Sequence, residues 1–244
     1  MIPNQWYAVL ETSELPTGRL LGVTRLGEKL VFWRDGNGRV VCQRDKCAHR
    51  GAALSEGKLV DGCVECPFHG FRYESSGRAR LIPANGRQAP TPERFQVHTY
   101  PTAEAHGFIY IWWGEPREAL PKPPFFTDID DSFSYGLARD PWKAHYSRVI
   151  ENQLDVVHLP FVHHNTIGRG NRTLVSGPVV RWLDDNTFLV YVYNEVDQGQ
   201  QPRRPEEIGE PYPAFHLEFR FPNLWQNHIS ESTRVVAAFV PVDA

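Results

Sequence analysis

Cys47-Ala-His49-Arg-Gly51 and Cys66-Pro-Phe-His69-Gly70 are two short loops, each offering one thiol, one imidazole and a closing glycine, with sixteen residues between His49 and Cys66. The first spacing is C-x-H and the second C-x2-H, so the two residue types alternate along the chain. Zinc loops usually open with C-x2-4-C and place their histidines together in a later pair, which argues against a structural zinc ion. Cys63-Val-Glu-Cys66 also reads C-x-x-C, but no strand-then-helix pattern surrounds it and Cys66 is taken by the stronger motif. Gly51 and Gly70 suit loops wrapped tightly round a bound group, where a side chain would intrude or φ must be positive.

Two thiolates and two imidazoles are the ligand set of a Rieske [2Fe–2S] cluster, with Cys47 and Cys66 on one iron and His49 and His69 on the other. Neutral imidazole in place of thiolate removes negative charge and moves the reduction potential upward, into a window of roughly −150 to +300 mV. Such a centre passes single electrons.

The 244 residues are enough for two domains with real cores, and 41% hydrophobic with 23% charged residues is an ordinary globular composition. A net charge of −3 gives no electrostatic case for nucleic acid or an anionic membrane as partner. No apolar stretch approaches the ~18 residues that span a bilayer, and Met1-Ile-Pro-Asn-Gln-Trp6 lacks the basic start and apolar run of a signal peptide. The expected location is the cytoplasm. Cys42 and Cys63, outside the ligand set, are then expected as buried thiols rather than a bridge.

Up to about Gly114 the chain alternates short β-rich runs with turns. Leu30–Trp33, Asp35-Gly-Asn-Gly38 and Val40–Cys42 read as a hairpin, and Phe108–Trp113 as a further strand. Gly114-Glu-Pro116 and Pro121-Lys-Pro-Pro124 mark a stiff linker, placing an all-β domain at residues 1–118 and a second domain at residues 119–244. In the second, the pattern predicts a helix over Ser147–Leu159, closed by Pro160, with Asn152, Asp155 and His158 recurring every three residues on one face. His163 follows five residues later, so Pro160 is expected to break the helix and let both imidazoles converge. The remainder is β-like: Val179–Leu183 turning at Asp184–Asn186 into Phe188–Tyr193, then Phe215–Phe221, Trp225–Ile229 and Val235–Val240. Phe215, Leu217, Phe219 and Phe221 share a face opposite His216, Glu218 and Arg220, which predicts an antiparallel sheet with one apolar side.

Asn152-Gln-Leu-Asp155-Val-Val-His158-Leu-Pro-Phe-Val-His163, placed after the cluster motif and a proline-rich linker, resembles the N-x2-D-x2-H-x4-H motif of Rieske non-haem iron oxygenases, specifically the α-subunit of the oxygenase component. The resemblance covers nearly the whole chain. It implies an N-terminal all-β Rieske domain and a C-terminal α+β catalytic domain whose curved antiparallel sheet is covered by helices. It also implies that His158 and His163 are two of three ligands to a mononuclear Fe(II), that Asp155 links that iron to a cluster, and that Asn152 belongs to the same catalytic motif. The loops of respiratory-chain Rieske proteins carry an added disulfide and a hydroxyl donor. Here those positions read Arg50 and Phe68, implying a lower potential suited to electrons from NAD(P)H.

The same resemblance implies O2-dependent hydroxylation or oxidative demethylation of an aromatic or other hydrophobic small molecule, an NAD(P)H-dependent reductase with or without a ferredoxin, and a ring of three identical subunits. The family's third iron ligand is a carboxylate far downstream, and only 81 residues follow His163. Asp184, Asp185, Asp197, Glu218, Glu231 and Asp243 read more simply as surface charges, so the expectation is a C-terminally truncated oxygenase with an incomplete catalytic domain. His164 stands in reserve for His163, and the plain alternative for Asp155 is a helix charge paired with nothing or with Arg148. Two other functions stay open: a Rieske electron carrier, which leaves the His158/His163 segment without a task, and a catalytically impaired remnant that only binds ligands.

Overall fold

The computed structural model describes residues 1–210 and 216–243. The chain divides into two compact units, Met1–Pro124 with the residues from Val240 onward, and Phe125–Phe239.

The first unit is built from eleven strands: β1 Gln5–Glu11, β2 Leu21–Arg25, β3 Glu28–Arg34, β4 Val40–Arg44, β5 Lys58–Val60, β6 Cys63–Glu65, β7 Arg72–Tyr73, β8 Ala79–Leu81, β9 Thr99–Tyr100, β10 Thr102–Ala105 and β11 Phe108–Trp113. They form three sheets, ordered β1-β11-β10, β2-β3-β4-β9 and β5-β6-β7-β8. The expected hairpin is β3–β4, with Phe32 opposite Cys42 and Trp33 opposite Val41. Its turn is set by Asp35, whose carboxylate accepts the N–H groups of Asn37 (2.9 Å) and Arg39 (3.0 Å) while Gly38 takes a positive φ.

Strand β3 is buried on both sides, and its period of two sends alternate residues to two cores. Leu30 and Phe32 join Tyr7, Leu10, Ile109 and Ile111 in one. Val31 and Trp33 join Leu54, Val64, Phe71 and Tyr73 in the other, together with Cys47 and Cys66. The two motif cysteines are therefore core residues. Cys42 and Cys63 are buried free thiols, as the sequence led us to expect. The proline-rich stretch is tied to this unit, its carbonyls at Pro121 and Pro124 accepting from Trp6 Nε1 (2.7 Å) and the Tyr110 hydroxyl (3.1 Å).

The second unit has two short helices, α1 Tyr146–Leu154 and α2 Leu159–Val162, and five strands, β12 Leu174–Asp184, β13 Thr187–Glu195, β14 Leu217–Arg220, β15 Leu224–His228 and β16 Arg234–Ala238. The strands form one antiparallel meander in sequence order. The β12–β13 turn falls where expected, with the Asp184 carboxylate accepting the Asn186 N–H at 2.7 Å. Leu217 and Phe219 share the apolar face with Val190 and Trp225, and Ile150 and Leu154 of α1 cover it. Phe215, expected on the same face, lies outside the described residues. The opposite face is not the simple solvent side that alternation suggests: Glu218, Gln226 and His228 are all buried there.

One local expectation fails. The single helix ending at Pro160 is two helices, because the backbone turns extended at Asp155 (φ −87°, ψ 120°) and Pro160 sits in the first turn of α2. Proline is well placed there, since the first helical N–H groups have no intrahelical partner to lose.

Candidate metal centres

The two cysteine loops close in the same way. Cys47 donates its N–H to the Ala52 carbonyl (2.8 Å) and accepts from Gly51 N–H (2.9 Å). Cys66 donates to Phe71 (2.8 Å) and accepts from Gly70 N–H (3.0 Å). Both glycines adopt the left-handed conformation, φ 76° and 71°. A Cβ on Gly70 would meet Pro83 Cγ at 3.0 Å, so both conformation and space call for glycine. The turns leave the cysteines in the core and raise His49 and His69 above them, their ring centroids 4.7 Å apart. Outside the first loop, Asp45 accepts from both the backbone N–H (2.8 Å) and the hydroxyl of Ser55, clamping the segment that carries Cys47 and His49.

His49 stacks flat on Phe71, centroids 4.8 Å apart and planes within 4°, and its Nδ1 is buried without a hydrogen-bond partner. Burial, with the nearby His69 and Arg50, lowers its pKa and favours the neutral form that binds metal. Burial raises the Cys66 thiol, opposed by the N–H groups of Phe68 and His69. His69 is exposed, beside Phe68 at 63% exposure. One contact escaped the sequence reading: the hydroxyl of Tyr73, fully buried on β7, lies 3.1 Å from Cys47 Sγ, where it can donate to a thiolate. Arg50 and Phe68 supply no hydroxyl, but the adjacent strand does. The signal was present as a tyrosine seven residues after Cys66, and only the strand pairing brings it across to the other loop.

In the second unit His158 and His163 flank α2, one at each end, and their rings meet edge-on with centroids 5.3 Å apart. His158 Nδ1 lies 3.3 Å from Asp155 Oδ2, outside hydrogen-bond geometry, while the other Asp155 oxygen accepts from Val157 N–H at 2.7 Å. The carboxylate thus fixes the turn between the helices and points at His158. Arg148 pairs instead with Glu151, at 2.5 Å. His164 is turned to the Phe161 carbonyl (2.9 Å), which removes it from the histidine pair. Asn152 is exposed on α1. Among the carboxylates weighed as a third ligand, Asp184 holds its own turn, Asp197 accepts from Gly199 N–H (2.8 Å), and Glu218 lies on the sheet face away from α1.

A β domain with paired Cys/His loops is thus followed by a sheet domain with a histidine pair at a helix break. Residues 5–101 match the Rieske [2Fe-2S] domain family, and residues 142–243 match the vanillate O-demethylase oxygenase C-terminal domain family. The chain belongs to the Rieske oxygenases. Among its relatives is chloroplastic chlorophyllide a oxygenase of Chlamydomonas reinhardtii, 35% identical over 167 residues, covering 68% of this chain and 25% of that protein. A structure of the NdmA QL mutant from Pseudomonas putida CBB5 with theobromine superposes with a TM-score of 0.75 at 25% identity, over 99% of this chain and 70% of that one. Dicamba monooxygenase with non-haem iron and dicamba shares the fold, with a TM-score of 0.66 and 22% identity over 97% and 70% of the two chains. The chain spans 25% to 48% of the length of the curated relatives it matches. No helix among the described residues is long and apolar enough to cross a membrane.

Proposed function

We propose that the chain serves as the oxygenase component of a Rieske system that uses O2 and electrons from NAD(P)H to hydroxylate or oxidatively demethylate an aromatic or other hydrophobic small molecule. In this reading Cys47, His49, Cys66 and His69 hold the [2Fe–2S] cluster, and His158 and His163 hold a mononuclear Fe(II). Bound there, the cluster supplies single electrons and the mononuclear iron offers open positions for O2. The observation that carries the reading is the presence of both donor sets in one chain: two matched glycine-closed loops over buried thiols, and an edge-on histidine pair with Asp155 beside it.

The donor set fits a cluster. The thiols are buried, the orphaned His49 Nδ1 lacks a partner, and the imidazole end reaches the surface at His69, where an electron can leave. Tyr73 steadies negative charge on the Cys47 sulfur, and the Phe71 stack keeps water from the His49 ring. Asp155 places a carboxylate oxygen 3.3 Å from His158 Nδ1 and offers it to an incoming imidazole N–H.

Electrons pass in this reading between neighbouring subunits of a homotrimer, His69 of one chain meeting Asp155 of the next. Two exposed apolar rims support it: Phe68 beside His69, and Val157, Phe161 and Val162 beside the histidine pair, each more than half exposed. The donor to the cluster is an NAD(P)H-dependent reductase, alone or through a ferredoxin, and the unbridged thiols of Cys42 and Cys63 suit a reducing cytoplasm.

Asp155→Asn tests the route. Cluster and iron still load in this variant, while cluster reoxidation in a single turnover with substrate and O2 slows by about 10–100-fold. Reoxidation at the wild-type rate would remove Asp155 from the path. An electron carrier, the competing function, would hold two irons per chain and no mononuclear iron.

A further inference from the structure

The buried polar face of the second unit's sheet carries a donor set that the oxygenase reading leaves unused. Alternation puts His216 and Glu218 opposite the apolar Leu217 and Phe219, and pairing sets Glu218 across from Gln226, with His228 two residues further along the same face. The His228 N–H donates to the His216 carbonyl (3.0 Å), and the two imidazoles lie with centroids 3.7 Å apart. The ligand atoms of His216, Glu218 and His228 all fall within 4.8 Å of one another.

At the centre, Gln226 Nε2 is 2.8 Å from Asp128 Oδ1, 3.0 Å from Glu218 Oε2 and 2.8 Å from His228 Nε2. That is three acceptors around a nitrogen with two hydrogens. Gln226 is fully buried, and its own Oε1 has no hydrogen-bond partner. Acceptors in excess of hydrogens, converging on one buried point, are what a cation requires. The two carboxylates are also oriented for it. Glu218 Oε1 accepts from Arg220 Nε and Asp128 Oδ2 from Arg234 Nε, each at 2.8 Å, so Glu218 Oε2 and Asp128 Oδ1 are left facing inward.

We propose that His216, Glu218 and His228, with Asp128 as a fourth ligand, form a divalent metal site of the zinc class, separate from the two iron sites. Two imidazole nitrogens with carboxylate oxygens are borderline donors that suit Zn2+. Ligands about 2.0–2.2 Å from a tetrahedral ion stand about 3.3–3.6 Å apart, so side-chain movements of about an ångström close the site as the Gln226 amide swings out. Arg220 and Arg234 keep their places on the outer oxygens.

The test uses the full chain with its cluster, in a His158→Ala/His163→Ala background so that the helix-break histidines take no metal. Zn2+ is added, excess is removed by gel filtration, and zinc and iron per chain are measured, with calorimetric titration for affinity. The expected result is one retained zinc with iron content of the cluster unchanged, and at least a tenfold loss of affinity on adding either Glu218→Gln or His216→Gln. His216 is only half-buried, so its variant carries the test if Glu218→Gln fails to fold. No retained zinc in the double variant, or affinity unchanged by His216→Gln, overturns the site.

Discussion

His49 and His69 sit on loops closed by backbone hydrogen bonds whose cysteines are buried in a core, whereas His158 and His163 flank a four-residue helix with Val157, Phe161 and Val162 exposed beside it. In the first region geometry is set by two left-handed glycines and by packing on Phe71, Tyr73 and Trp33. In the second it depends on one turn, held by Asp155 and by the contact of α2 with the segment after it. A donor set that must enclose a rigid cluster is pre-shaped by its own loop, while a mononuclear site is assembled from the ends of elements and draws its support from outside them.

The largest expected effect follows from that contrast. Gly168 N–H donates to the His163 carbonyl at 3.0 Å, and a Cβ at Gly168 would lie 1.8 Å from the Leu159 carbonyl oxygen, an impossible approach. Gly168→Ala is therefore expected to displace α2 and abolish mononuclear iron binding while leaving the cluster's visible absorption intact. Loss of both centres together would show that the two regions are not independently supported.

A smaller effect is expected inside the cluster region. Tyr73→Phe removes a buried donor from Cys47 Sγ. Hydrogen bonds to a sulfur ligand favour the reduced, more negative state, so the variant's reduction potential should fall by roughly 60 mV, for about 1.4 kcal/mol of lost differential stabilisation. Protein-film voltammetry measures this, and an unchanged potential would make Tyr73 a packing residue only.

The smallest concerns acid stability of the first unit. Arg34 binds Glu104 through two N–H···O contacts of 2.8 Å and holds its carboxyl below the usual range. Because the folded value is the lower one, the unfolded chain takes up the proton first as pH falls. The stabilisation is full above the ordinary glutamate pKa of about 4.3 and is lost as pH drops through the folded value. With both groups partly exposed it amounts to about 1 kcal/mol, and Glu104→Gln should flatten that part of the pH dependence in urea melts.

Much of this was legible in the sequence where local chemistry decides. The Asp35–Gly38 and Asp184–Asn186 turns, the hairpins around them and the cysteine loops follow from residues within a few positions of one another. What escaped depends on long-range pairing. Tyr73 reaches Cys47 only through the placement of β7, and the buried Glu218 shares Gln226 with Asp128, which comes from a segment far away in the sequence. The helix over Ser147–Leu159 read as continuous because its apolar and polar spacing persists through Asp155. Periodicity does not register a carboxylate that accepts its own downstream N–H and turns the chain.

Mixed ligation by two thiolates and two imidazoles defines the cluster proposed for the first unit, and pulsed EPR of the reduced protein tests it most directly. Nitrogen couplings from two distinct imidazoles are expected in the full chain, with one removed by His69→Cys and the other by His49→Cys. A reduced cluster showing no coupled nitrogen, or couplings untouched by both substitutions, would contradict it.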